Sequence, residues 1–268
     1  MNRKIISSGR RVPPSRRSAL RAAVAGLGGL SLAGCDKLSN NDTVVGVIKS
    51  AEHVSRGVQG VVAGRPALAQ EFTPADVAAH FKANGTLVPA DADYQALMKN
   101  GFADYRLHIG GLVERPASFT LAELRAMPSR TQITRHDCVE GWSTIGKWKG
   151  VPLSHVLGRV GPLANAKFVV LRCADSMDEP SAPTDSKYYE SIDMDDAHHL
   201  QTLLAYDLND QPLPVNNGAP LRLRVERQLG YKHAKYVMRL ELVESFDAIR
   251  GGHGGYWEDN GYEWYAGI

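Results

Sequence analysis

From Tyr105 onward, several stretches carry apolar residues at every second position, as on a half-buried strand. Tyr105, Leu107 and Ile109 alternate with polar or small neighbours, and the pattern predicts a strand over Tyr105 to Val113. The same period predicts strands over Phe168 to Cys173, Leu221 to Glu226 and Tyr236 to Phe246. Helical spacing is confined to short stretches. Thr73-Pro74-Ala75-Asp76 combines a capping residue, a proline suited to the first turn and an acid for the dipole, predicting a helix from Pro74 to Ala83 closed by Asn84-Gly85. Thr120-Leu121-Ala122-Glu123 is a capping box that opens a short helix ending before Pro128. A further helix is predicted from Pro152 to Val160, with Gly161 after it. Ala174 to Lys187 and the glycine-rich Gly251 to Gly255 read as loops, and Asp195, Asp196, His198 and His199 as a solvated helix turn. Short strands, short helices and long connections give an α+β class, not a doubly wound sheet.

The first 34 residues obey none of these periods. Arg10, Arg11, Arg16, Arg17 and Arg21 precede an apolar run from Ala22 to Ala33, the pattern of a secretory signal and too short to cross a bilayer comfortably. Ser15 to Arg21 resembles the twin-arginine export motif, and Leu32-Ala33-Gly34-Cys35 a lipobox, in which Cys35 is acylated after cleavage. The expected organisation is therefore a signal over 1–34, a tether over 35–72 and one domain over 73–268. The expected location is the periplasm, on a lipid anchor at the inner membrane. Removing the signal changes the charge picture. The precursor carries +2, whereas residues 35–268 retain 24 Lys/Arg against 29 Asp/Glu, about −5. A nucleic-acid partner loses its electrostatic basis.

With Cys35 assigned to lipid, only Cys138 and Cys173 of the three cysteines remain, and a disulfide between them is one use of an oxidising compartment. The sharper feature is Arg135-His136-Asp137-Cys138-Val139-Glu140-Gly141-Trp142-Ser143, one cysteine among charged neighbours. Arg135 and His136 there would favour the thiolate, which serves as nucleophile or as metal ligand. The same two residues are candidates for an anionic substrate or for orienting the cysteine loop. Zinc is poorly served, because no second Cys/His pair stands at finger-like spacing. A cysteine hydrolase stays open, since the chain has nine histidines to offer as base.

Cys138-Val139-Glu140-Gly141-Trp142-Ser143, followed by Trp148 and Gly150-Val151-Pro152-Leu153, resembles the molybdopterin-binding domain of the sulfite oxidase family, in particular its bacterial periplasmic reductases. The likeness continues through Asn216 to Leu223 and Gly230 to Tyr236 in the family's order. It implies a molybdenum-molybdopterin cofactor with a single pterin, Cys138 supplying the protein's thiolate to the metal beside two dithiolene sulfurs. It also implies that Asn217, Arg222, His233, Ala234 and Lys235 hold the pterin and its phosphate, work suited to a forked guanidinium and a compact ammonium. Cys173 stands where relatives carry Thr and is a candidate cofactor contact, as is Asn84. Tyr188 is a candidate to reach the metal pocket, as a Tyr does in sulfite oxidases, and Arg135 joins it as a catalytic candidate. The aromatic tail from Tyr256 to Tyr265 is expected to cover a pocket edge or the core.

The resemblance thus implies an enzyme that moves two electrons and an oxygen atom on or off a small-molecule substrate. Candidate reactions are S- or N-oxide reduction and sulfite-type oxidation. The CxxCH haem attachment sequence is absent from the chain, so the resemblance calls for a separate electron-transfer protein, a membrane haem protein or a cytochrome. No room is left for the immunoglobulin-like dimerisation domain of sulfite oxidases, and a monomer is expected. A metal-free binding lipoprotein of the same fold is the alternative outside catalysis.

Overall fold

The computed structural model describes residues 67–177 and 186–268. The signal, Cys35, most of the tether and part of the Ala174 to Lys187 loop lie outside the described residues. In chain order the elements are α1 (Ala92–Lys99), β1 (Arg106–Gly111), β2 (Ala117–Thr120), α2 (Leu121–Ala126), β3 (Arg130–Asp137), β4 (Ser143–Pro152), α3 (Leu153–Val160) and β5 (Phe168–Ser176). They continue as β6 (Lys187–Asp193), α4 (Met194–His198), β7 (Thr202–Leu208), β8 (Gln211–Pro212), β9 (Arg222–Val225), β10 (Val237–Val243) and α5 (Tyr256–Asp259). Two five-stranded sheets form, β2-β1-β10-β5-β6 and β3-β4-β7-β8 with β9 on the other side of β7. All pairings between these strands are antiparallel except β1 with β10. The α+β reading holds.

One apolar cluster joins the sheets. Leu107, Leu171, Leu240 and Leu242 from the first meet Val151, Leu204, Leu223 and Val225 from the second, with Val156, Leu157 and Val160 of α3 among them. Each such aliphatic side chain contributes roughly 1.5–3 kcal/mol on burial. α3 matches its sequence signals, Pro152 preceding it and Gly161 closing it at φ +67°. The capping box is also present: the Thr120 hydroxyl accepts from the Glu123 N–H at 3.1 Å, and the Glu123 carboxylate accepts from the Thr120 N–H at 2.7 Å.

The predicted helix over Pro74 to Ala83 does not form. A single 3-10 turn, Pro74–Asp76, is followed by extended backbone at Val77. The Phe72 N–H donates to Ile133 and the Ala78 N–H to Ile145, holding the segment against the β3–β4 hairpin. Phe81 packs edge-on against Trp148 at 4.9 Å. Tertiary pairing has overridden a local helix start, as it does when a segment is short. The true helix lies further on, where the Asp91 carboxylate caps α1 by accepting from the Tyr94 N–H at 2.8 Å. Two other expectations are corrected. β5 runs on to Ser176, which places Ala174 and Asp175 on a strand instead of in a loop. The helix turn at α4 is not solvated throughout: Asp196 is buried and accepts from Gln228 at 2.7 Å, and His199 is bonded to the Ala67 carbonyl.

Candidate molybdenum-pterin site

Cys138 occupies the turn of the β3–β4 hairpin. Its N–H donates to Trp142 at 2.9 Å and its carbonyl accepts from Gly141 at 3.0 Å, so the loop is closed by its own backbone. The side chain is 8% exposed and lines a cleft, open to solvent, with about 650 Å³ of empty space. The Asn84 amide donates to the Cys138 sulfur at 3.8 Å. Asn84, Tyr188, His233 and Lys235 therefore meet Cys138 in one cleft, together with Thr86, Asp175, Tyr231 and Trp257.

Strand alternation explains which neighbours of Cys138 are excluded. On β3 the inward positions are Gln132, Thr134 and His136, so Arg135 points outward. Its side chain is 53% exposed and pairs with Asp137 at 2.8 Å, away from the cleft. Arg135 is thus not placed to act on a substrate there. His136 is buried and kept neutral, its pKa held well below the usual value by burial and by Arg224, Arg222 and Lys235. The expectation that these two neighbours lower the Cys138 pKa is corrected: burial pushes the thiol up, with the Glu140 backbone N–H, the Asn84 amide and Lys82 opposing. Coordination to a cation would deprotonate it outright. Cys138 and Cys173 are both free thiols, so the disulfide does not form.

The basic group expected to grip a phosphate is Lys235, in the cleft lining, with Arg222 behind it. Arg222, the first residue of β9, is fully buried; it donates to the Asn217 carbonyl at 2.9 Å and the His233 carbonyl at 3.4 Å, while its Nε has no partner. Burial and Arg224 bring its pKa down to about 9. The Lys235 ammonium donates to three carbonyls, those of Asn84 at 2.6 Å, Thr86 at 2.5 Å and Asn216 at 3.3 Å, and burial lowers it to about 7. Neither cation makes an ion pair among the described residues. The Asn217 amide nitrogen, the His233 Nδ1, the His136 Nε2 and the Asp175 Oδ1 are likewise buried without partners. Buried polar groups are normally satisfied, and a cluster of exceptions around one cleft marks a place where a polar ligand completes the bonding. Gly230 keeps this wall close: a Cβ there would lie 2.8 Å from the His136 ring.

Two predicted contacts sit deeper. Ala234 is in the core, its N–H donating to Lys232 and its carbonyl accepting from Leu223. Cys173 is in the same core, its thiol raised by burial, and its strand neighbour Asp175 faces the cleft instead. Tyr188 does reach the cleft, with its hydroxyl donating to the Tyr231 carbonyl at 2.6 Å. Sequence reasoning missed Asp175, Thr86 and Tyr231 as cleft residues. Asp175, two places after Cys173 and so on the same strand face, was open to discovery had β5 been extended. The aromatic tail behaves as expected, Trp257 lining the cleft and Trp264 donating to Ser191 at 2.8 Å.

Residues 94–248 match the model of the oxidoreductase molybdopterin binding domain, more than half of the chain. The chain belongs to the sulfite oxidase family of molybdopterin-binding oxidoreductases. It is 37% identical over 257 residues to the "Putative protein-methionine-sulfoxide reductase subunit YedZ1" of Azospira oryzae, covering 95% of this chain and 88% of that protein. It is 41% identical over 145 residues to the protein-methionine-sulfoxide reductase catalytic subunit MsrP of Xanthomonas axonopodis pv. citri, covering 52% of this chain and 45% of the relative. The chain thus spans under half of that relative's length. Among solved structures, the sulfane dehydrogenase SoxCD from Paracoccus pantotrophus matches with a TM-score of 0.47 and 28% identity, over 53% of this chain and 39% of that one. The family makes this protein a molybdopterin-dependent oxidoreductase, which sets aside both the hydrolase and the non-catalytic binding lipoprotein. The described residues bring no three His, Cys, Asp or Glu side chains together as metal ligands, and Cys138 is the single cysteine among the described residues that line the cleft.

Proposed function

We propose that this protein is the catalytic component of a periplasmic reductase for methionine sulfoxide, with Cys138 as the protein ligand to molybdenum. The observation that carries the reading is the cleft itself. One thiol opens onto it, the buried cations Lys235 in its lining and Arg222 behind make no ion pair, and several polar atoms lack a partner among the described residues. The direction of reaction comes from the relatives, whose names assign them to methionine sulfoxide reduction.

Bound molybdenum-pterin supplies the two-electron, oxygen-atom-transfer chemistry. The chain's own residues do the rest. Arg222 and Lys235 offer charge-assisted donors to the pterin phosphate, and Asn217 and His233 offer the amide and ring nitrogen that heterocycle edges need. Asn84 donates to the Cys138 sulfur and fixes its direction. Tyr188, Tyr231 and Trp257 give the cleft an aromatic rim suited to a thioether or sulfoxide side chain. Electrons arrive from a separate membrane haem protein. Export by the twin-arginine route suits a protein that must acquire its cofactor before crossing the membrane, and acylation of Cys35 would keep it beside that partner.

The test is steady-state reduction of methionine sulfoxide by a reduced viologen dye, using protein expressed with its signal intact. Wild type turns over and Cys138→Ser does not. Turnover retained in Cys138→Ser removes Cys138 as the ligand, and sulfite oxidation without sulfoxide reduction reverses the assigned direction.

A further inference from the structure

Asp175 is one of the orphaned polar groups of the cleft, and unlike Arg222, Lys235, Asn217 and His233 it offers no donor to a phosphate or heterocycle when ionised. It lies near the end of β5, is 3% exposed, and faces the cleft that contains Cys138. Its Oδ1 is buried without a hydrogen-bond partner, and no lysine or arginine forms an ion pair with it among the described residues. A carboxylate with an unsatisfied buried oxygen is costly, and the cost falls when the group takes a proton or meets a donor from a ligand. We propose that Asp175 is the proton donor of the cleft, a catalytic residue that delivers a proton to the oxygen leaving the substrate sulfur.

The role assigned to Asp175 rests on the sulfoxide-reductase reading. The reduction takes a sulfoxide, two protons and two electrons to a sulfide and water. The S–O bond breaks, the electrons come from the reduced molybdenum-pterin group, and the oxygen leaves as water. One of the two protons comes from the Asp175 carboxyl, which is recharged from solvent through the open mouth of the cleft, and the second comes from solvent directly.

The surroundings suit a group that both holds and releases a proton. The titratable groups facing Asp175 are Lys235 from the segment before β10, Cys173 on its own strand, Tyr188 on β6, Tyr94 on α1, and Tyr236. Burial holds the carboxyl up at about 6, with Lys235 and the Thr86 hydroxyl pulling the other way. A general acid works best with a pKa near the working pH. Tyr188, the other cleft hydroxyl, is poorly placed for this work, because its proton is committed to the Tyr231 carbonyl and burial raises its pKa far above the neutral range.

The experiment uses holoenzyme of measured molybdenum and pterin content, with methionine sulfoxide as substrate and a reduced viologen as donor, from pH 5 to 8. Wild-type kcat should fall as pH rises through a limb above the usual carboxylate range, because burial pushes the Asp175 carboxyl up. Asp175→Asn should lose kcat by about 10²-fold at the acid end, lose the limb, and keep KM and cofactor content. Asp175→Glu should restore part of kcat with a displaced limb. An Asn variant with wild-type kcat and limb overturns the proposal. So does one whose activity falls only in step with its molybdenum, since Asp175 would then hold cofactor and not a proton. If wild type reduces no sulfoxide, the substrate reading fails by itself, and infrared titration of the protein still judges Asp175. A protonated-carboxyl band present at pH 5, gone by pH 8 and missing in Asp175→Asn upholds a proton-holding Asp175; no such band overturns it.

Discussion

Two pairs of buried cations in this protein have the same burial and opposite company. Arg224 is fully buried and pairs with Glu226 at 2.5 Å, and Lys232 is fully buried between Glu190 at 2.5 Å and Glu258 at 2.6 Å. Arg222 and Lys235, on the same stretch of chain, hydrogen-bond to backbone carbonyls and make no ion pair among the described residues, although Asp175 faces Lys235. The pKa directions record the difference: the two carboxylates hold Lys232 above its usual value against its burial, whereas Arg222 and Lys235 are both depressed. A cation that the fold itself neutralises belongs to the scaffold. A cation buried without a counter-charge is a standing cost that an anionic ligand relieves. On this ground Lys232, one residue before His233, is structural although it lies inside the segment that resembles a cofactor-binding block.

Removing the scaffold cation should have the largest effect. Lys232→Met leaves two buried carboxylates without their ammonium and should cost about 3–5 kcal/mol in urea unfolding of cofactor-free protein. Arg222→Met, measured the same way, should change stability by about 1 kcal/mol or less, because a depressed, unpaired charge is removed with its bonds. Its effect belongs in cofactor content, which should drop well below one pterin per chain. Equal destabilisation by the two substitutions would erase the distinction.

A smaller effect should come from inorganic phosphate, a probe for the pterin phosphate. It should stabilise cofactor-free wild type against urea unfolding by about 2.7 kcal/mol if its concentration reaches a hundred times Kd, and leave Arg222→Met unmoved. A pH slope separates the two lysines. Between about 7, where folded Lys235 titrates, and 10.5, its ordinary value, the unfolded chain holds a proton that the folded chain has released. Lys235 therefore makes stability rise with pH across that window. Lys235→Met should lose that contribution in urea midpoints taken at pH 7, 8 and 9. Lys232, with its pKa raised, contributes in the opposite direction: its stabilisation is present below the ordinary lysine value and is lost as pH rises past it.

How much of this was legible beforehand depends on which faces are apolar. β1, β5, β9 and β10 alternate or run apolar and were readable, as were α2 and α3 from their caps. β3 was missed because its inward residues are Gln132, Thr134 and His136, polar side chains that give no hydrophobic period. β6 hid for a similar reason, burying Glu190 and Ser191 in the scaffold network. The site residues came mostly from resemblance: Arg222 alternates as an ordinary strand arginine and Lys235 looks like a surface lysine until burial is known. Asn84, a cofactor candidate in the sequence, reaches Cys138 only because residues 71–81 fold back along the hairpin, which no local signal announces.

Cys138, Lys235 and Arg222 are assigned to one molybdenum-pterin group. Elemental analysis of protein exported from a molybdenum-replete host, with detection of the released oxidised pterin, tests that assignment most directly. Close to one molybdenum and one pterin per chain is the expected result. Well-folded protein that carries zinc without pterin, or neither metal nor pterin, would contradict it.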